Sequence, residues 1–305
     1  VAAASVQGDG LVGPVGRAIA SESAQAFRGA STRLVSVLIC TRNRPRDVAR
    51  AARSLLASTA ENLELLVIDQ SDDDLTERQF TAPNVDRRVR YLRAPSTGKP
   101  VAMNLGLRLA RSSIVVVTDD DCEASSEWVG DMARELACRP RVALVFSRVV
   151  AAPHDPRAGY IPTFEPTNDR LVRSMLATCV RRGLGAGMAM RKEAVLALGG
   201  CDETIGPGTR FLSGDDWDLE LRLLSRGWLV YEAASLSIVH HGFRSFAEGV
   251  EHSRQNWYGM GAVVAKPLRA GHPSGAVLAL WQVAVNVLLA QVKAVARGRR
   301  PFGLR

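Results

Sequence analysis

The chain has 305 residues, enough for one large α/β domain or two ordinary ones, and its 47% apolar and 23% charged content belongs to a globular protein, not a disordered one. The net charge of +8 is unevenly placed: residues 252–305 carry eight Lys or Arg and no acidic residue, while the remainder is balanced, which excludes a nucleic-acid binder that is basic all over. Five cysteines, at 40, 122, 138, 179 and 201, fit no CxxC metal spacing, and their odd number argues against a disulfide framework and for a reducing, cytoplasmic setting.

Residues 1–33 are rich in Ala, Gly and Ser and read as a flexible extension, without the basic start and continuous apolar core of a secretory signal. Val35 to Ile39 is a short β-branched run suited to a buried strand. Behind Pro45, the spacing of Val48, Ala52, Leu55 and Leu56 predicts a helix over 47–58. A strand from Leu63 to Ile68 ends at Asp69, and the pattern repeats with 89–92 extended, 99–110 helical and 113–118 extended. A helix over about 126–137 and a strand over 142–150 close the series. Alternating strands and helices with short links predict a mostly parallel sheet flanked by helices.

The second half is less regular. Residues 153–178 read as loops, Gly183 to Gly187 as a segment letting backbone pass close to a ligand or strand, and 191–198 as a short helix stopped by Gly199 and Gly200. A helix over 215–225 begins with acidic residues, as the helix dipole favours, and 228–239 holds one or two strands. The apolar stretch 276–292, broken by Gln282 and Asn286, is too short and too polar for a confident membrane span and reads as a buried or interfacial helix.

Three clusters carry chemistry. Asp119, Asp120 and Asp121 close a buried strand, where ligands bind in open α/β folds. In an extended chain Asp119 and Asp121 share a side, and their oxygens suit a hard ion, Mn²⁺ or Mg²⁺; the bland alternative is a solvated, helix-capping turn. Asp69 could accept hydrogen bonds from a nucleobase or ribose, or simply form a turn with its acidic neighbours. Asp215 and Asp216 could supply a general base or merely cap their helix. Of His240 and His241, one could be a metal ligand or an acid or base, although such a pair more often lies at the surface or in a satisfied core, and Trp217 could stack on a sugar, although core packing is the safer reading.

In this order the elements resemble family 2 of the nucleotide-sugar glycosyltransferases, with a GT-A fold, over about 34–245. The resemblance rests on the first strand with Thr41-Arg42-Asn43-Arg44-Pro45, on Asp69 with Ser71, and on Gly98-Lys99-Pro100 with Ala102 to Gly106. It continues through Thr118-Asp119-Asp120-Asp121 as a DxD motif, Gly187 to Arg191, Gly199 to Glu203, and Gly214-Asp215-Asp216-Trp217. Cys40 stands where Pro is usual, Cys201 where an aromatic is usual, and Asp215 where Glu is usual.

The resemblance implies a nucleotide-sugar-binding half over 34–150 and an acceptor-side half over 151–245, followed by a basic, partly amphipathic helical tail. Thr41, Arg42, Asn43, Asp69, Lys99, Asn104, Asp119 and Asp120 would meet the nucleotide sugar, and Asp121, Asp119 and His240 the Mn²⁺ or Mg²⁺. Asp216, beside Asp215, would be the base, with Gly187 and Trp217 on the acceptor side. The implied donor is a UDP, dTDP or GDP sugar, the acceptor a glycan, lipid-linked or small molecule, and the reaction inverting. A phosphotransferase of the haloacid dehalogenase type would want Thr where Glu123 stands. A non-catalytic nucleotide-sugar scaffold and a retaining relative stay open. The tail helix with Arg297, Arg299 and Arg300 could touch the inner face of a membrane or pack on the domain.

Overall fold

The computed structural model describes residues 34–284 and residue 292. Its first half alternates β1 (Val35–Thr41), α1 (Pro45–Leu56), β2 (Leu63–Asp69), α2 (Leu75–Phe80), β3 (Val89–Arg93), α3 (Lys99–Leu109) and β4 (Ile114–Asp119). These four strands pair in parallel in the order β3-β2-β1-β4. Nearly every side chain of β1 and β2 is buried, so both faces favour apolar residues, and the runs are broken only near their starts by Ser36 and Glu64, which bond to each other. α1 begins at a proline and buries Val48, Ala51, Ala52 and Leu55, a single stripe pressed on the sheet.

The chain continues through β5 (Cys122–Ala124), α4 (Trp128–Ala137), β6 (Val142–Ala151), β7 (Gly159–Tyr160), β8 (Arg170–Val172) and a 3₁₀ turn at Met175–Cys179. Then come β9 (Gly187–Arg191), α5 (Lys192–Ala197), α6 (Asp215–Ser225), β10 (Leu229–His240), β11 (Arg244–Ser245), α7 (Phe246–Arg269) and α8 (Pro273–Trp281). The nine-stranded sheet runs β3-β2-β1-β4-β9-β6-β10-β5, with β8 also on β10. It is an α/β architecture of the GT-A type with helices on the sheet.

The sheet is mixed in its second half. β10 runs parallel to β6, but β9 lies antiparallel between β4 and β6, and β5 and β8 pair antiparallel with β10. β9 falls where the sequence predicts a glycine-rich passage and then a helix from Arg191; the helix begins one residue later and is shorter. Its residues Gly187-Met188-Ala189-Met190 are buried but not β-branched, so only their place between two strands makes them extended. The 228–239 region forms one long strand, whose pairing skips residues 234–236. The Ala234 N–H there donates to Asp169 Oδ1 at 2.8 Å.

Two ionic clusters join the later elements. Glu232 on β10, fully buried, meets Arg170 at 2.5 Å and also Arg181, which fixes the connection between β8 and β9. Lys266 of α7 bridges Asp202 at 2.7 Å and Asp218 at 2.5 Å. α7 starts at a capping box, Ser245 and Glu248 each binding the other's backbone N–H. Among the described residues no helix is long and apolar enough to cross a membrane. The apolar stretch predicted over 276–292 enters α8 and is described to residue 284, and Arg297, Arg299 and Arg300 lie outside the described residues.

Candidate active site

The carboxyl ends of β1 and β4, the end of β10 and the start of α6 border a cleft of about 720 Å³. Strand ends of an open sheet leave such a crevice because the chain turns away from them in both directions. Thr41, Arg42, Arg44, Lys99, Asp119, Asp120 and Asp121 line one part of it. Gly185, Asp215, Asp216, His240 and Phe243 line another, and one face of α7 completes the wall.

Asp119 ends β4, but Asp120 and Asp121 form a turn before β5, so the triplet is not extended as expected. Each acid consequently meets a cation, two of them the same one. Asp119 pairs with the Lys99 ammonium. Asp120 accepts from Thr41 Oγ1 at 2.8 Å and from Arg44 at 3.1 Å, and Asp121 accepts from the same Arg44 at 3.0 Å. The crowding that suggested a bound cation is therefore relieved in part by the chain's own cations. Burial pushes Asp120 up to about 6 against the pull of Arg44. Burial would lower Lys99, but Asp119 and then Asp215 more than offset it and raise its pKa well above the usual range.

Of the two histidines, His240 is the one that faces the acidic turn. Its Nδ1 lies 2.9 Å from the Pro162 carbonyl, which can only accept, so Nδ1 carries hydrogen and Nε2 faces the acid. Nε2 sits 3.3 Å from Asp121 Oδ1, a buried oxygen without an aligned hydrogen bond. Two lone-pair holders at that separation need a proton or a metal ion between them. Burial raises the Asp121 carboxyl, but the His240 imidazole, followed by Arg44, more than offsets this and holds it at about 2. His240 itself is raised, its Asp121 partner outweighing burial. A Cβ on Gly242 would come within 2.6 Å of His240 Nε2 and 2.8 Å of Asp121 Oδ2, so only glycine keeps this cradle open. The donor set and the space fit a divalent ion, with the buried Cys122 beside them. His241 instead reaches Glu123 at 3.2 Å.

Across the cleft, Gly214 enters α6 in the left-handed region, at φ 94°, and delivers two acids. Asp216 accepts from the Gly185 N–H at 3.0 Å through Oδ2 and from the Trp217 N–H at 2.7 Å through Oδ1. Burial pushes Asp215 up to about 7, with Lys99 opposing and Asp216 and Asp119 adding to the rise.

Other expected residues stand away from the cleft. Asp69 is fully buried and its oxygens accept from Ser71 N–H and Tyr91 OH, both at 2.8 Å. Gln70, next in sequence, lines the cleft in its stead. Asn43 locks the β1 loop to the β2 loop by exchanging hydrogen bonds with Asp72. Asn104 holds the turn at Cys201, accepting its N–H at 2.7 Å and donating to its carbonyl at 2.9 Å. Trp217 is buried and donates to Thr178 Oγ1 at 3.1 Å, with Arg182 stacked on its ring, and Gly187 is packed against Ser147 within the sheet. Sequence reasoning missed the Pro162 carbonyl, Gly242, Phe243 and the cleft face of α7. Only the last left a trace, a polar stripe at 248, 251, 252, 255 and 256.

A family model described as glycosyl transferase family 2 matches residues 36–198, more than half of the chain. The chain belongs to glycosyl transferase family 2. The match covers the acidic turn but stops short of Asp216 and His240. Among curated proteins, an uncharacterized glycosyltransferase of Rickettsia felis is 35% identical over 88 residues and one of Rickettsia conorii 33%. Each alignment covers 28% of this chain and 14% of the relative, so the family 2 chain corresponds to a small part of either protein. Among solved structures, Staphylococcus aureus TarS superimposes with a TM-score of 0.57 at 13% identity, over 77% of this chain and 40% of that one. A shorter TarS, residues 1–349, gives 0.55 at 13% identity, over 68% and 60%. At that identity the likeness is one of fold.

Proposed function

We propose that this family 2 chain transfers a sugar from a nucleoside-diphosphate sugar to an acceptor hydroxyl, with inversion by a single displacement. The observation that carries the reading is one cleft holding an acidic turn with paired cations on one side and the fixed carboxylate of Asp216 on the other. Residues 34–150 would take the donor and 151–245 much of the acceptor side. Thr41, Arg42, Arg44 and Lys99 would meet the nucleotide, a UDP, dTDP or GDP moiety. Asp121 and His240, with Asp119 nearby, would hold Mn²⁺ or Mg²⁺, which when bound would offset negative charge on the leaving diphosphate.

The chain's own groups perform the remaining work. Lys99 and Arg44 balance the acidic turn, so a diphosphate can approach without facing three bare carboxylates. The Gly185 and Trp217 N–H groups aim Asp216 and keep it from rotating. Asp216 takes the acceptor's hydroxyl proton as the oxygen attacks the anomeric carbon opposite the leaving group, which inverts configuration. Asp215, raised by burial, limits the negative charge beside it.

A thermal-shift series with UDP, dTDP and GDP, each with and without Mn²⁺, tests the donor site on the parent chain and on Asp121→Ala. Binding to the folded state alone raises the melting temperature. Metal-dependent stabilisation by one nucleotide, lost in the variant, is expected. Folded protein that ignores every nucleotide would sink the proposal, and binding without any transfer would leave a nucleotide-sugar scaffold.

A further inference from the structure

We infer that the acceptor is a saccharide, seated between Phe243 and the cleft face of α7; this deepens the transferase reading and rests on it. Glu251, His252, Gln255 and Asn256 line the cleft, and their spacing puts them on one face of the helix. That face is fixed to the loop carrying the proposed base. Ser213 Oγ donates to Asn256 Oδ1 at 2.6 Å, and a Cβ on Gly259 would lie 2.1 Å from the Ser213 carbonyl oxygen. A molecule resting on α7 therefore lies beside the segment that leads directly into Asp215 and Asp216.

The wall is built of planar polar groups held in register. Asn256 Nδ2 lies 3.2 Å from His252 Nδ1, and Gln255 Nε2 donates to Glu251 Oε1 at 3.3 Å. An amide or carboxylate has capacity for several hydrogen bonds, so these contacts orient the groups without exhausting them. Burial, then the Arg244 charge, holds His252 near 4, so at neutral pH its imidazole is uncharged, and with Nδ1 accepting from the Asn256 amide its Nε2 carries the hydrogen and is left to donate. A sugar hydroxyl both donates and accepts, and this donor and the Glu251 carboxylate on the same wall supply both halves of that pairing. Phe243, 44% exposed and on the cleft lining, adds an apolar surface for the C–H face of a pyranose ring. An alkyl chain laid on this wall would strip water from a carboxylate, two amides and an imidazole without replacing their hydrogen bonds.

Saturation-transfer NMR on the full chain tests this, with millimolar methyl glycosides of glucose, galactose, N-acetylglucosamine, mannose and rhamnose, in the presence of diamagnetic Mg²⁺ and each of UDP, dTDP and GDP. At least one glycoside should show transfer, reduced about fivefold by Phe243→Ala and by Gln255→Ala. Both variants should keep the parent's melting temperature and nucleotide response, which separates lost contact from lost folding. A nucleotide response with no glycoside transfer, or transfer that ignores both substitutions, would overturn the saccharide assignment and leave the donor site standing. So would dodecyl phosphate that binds while every glycoside fails. Glycoside transfer sensitive to both substitutions, in protein that answers no nucleotide, would support the saccharide seat and overturn the donor reading.

Discussion

The two halves of the molecule are held together by different physics. In residues 34–150, β1, β2 and β4 bury apolar side chains on both faces, and ion pairs such as Arg42–Asp72 and Arg78–Asp74 lie in solvent. Glu64, buried against Arg90 and Ser36, Asp69, buried against Tyr91 and the Ser71 N–H, and the acids of the cleft turn are the exceptions there. In the residues after 150, ionisable side chains go inside. Glu232 sits between two arginines, Asp218 between Arg222 and Lys266, and Glu220 is buried with neither oxygen hydrogen-bonded. By this contrast the first half is stabilised chiefly by hydrophobic burial, whereas the second has charged elements that depend on one another for solvation lost on folding.

The largest expected effect divides the halves by function. Asp216→Asn should lower turnover about a thousandfold, ~4 kcal/mol, while the nucleotide thermal shift persists. Steady-state rates beside that shift check it, and near-normal turnover would remove Asp216 as base. Next, Glu232→Gln strands two arginines and should cost about 2–3 kcal/mol in urea unfolding, less than a wholly buried pair because both arginines keep some solvent. A midpoint unchanged by that substitution would dissolve the contrast.

A smaller effect depends on pH. Burial pushes Glu220 up to about 8, with Glu232 and Asp216 adding to the rise. Between its ordinary value of 4.5 and about 8 the unfolded chain releases this proton and the folded chain keeps it, so stability falls as pH rises through that window. Glu220→Gln removes the penalty, and its melting temperature should gain on the parent's from pH 5 to 8 and then run level. Parallel melting curves would show that Glu220 titrates normally. Smallest of all, Arg78→Ala in the first half should change stability by under about 0.5 kcal/mol, since its pair with Asp74 is exposed. A urea midpoint checks it.

The same contrast explains what could be read in advance. Buried parallel strands announce themselves because both faces must be apolar, and β1, β2 and β4 were legible for that reason, whereas the acids after β4 were legible as a cluster but not as a turn. β9 was not, since Met and Ala carry no extended preference and its neighbours in the sheet are far away in sequence. Glu232 and Arg170 are 62 residues apart, and neither looks unusual alone. Within the site, Asp119, Asp121, Asp216 and His240 were legible as residues that meet in one cleft. The carboxylate of Asp69 and the amide of Asn104 carry the right chemistry for a ligand, yet the fold spends both on holding its own backbone. A side chain's capacity to bond is visible in a sequence, whereas the partner that uses it is not.

Gly259 and Lys266 have a practical consequence for anyone recombining such chains. Because α7 abuts the Ser213 carbonyl without room for a methyl group and clasps both Asp202 and Asp218, it is geared to the loop and helix beneath it. A chimera joined at Ser245 would mesh one protein's helix with another's 202–218 segment, and each mismatch would be felt at Asp216. Exchanging 202–269 as one cassette would keep the gearing intact.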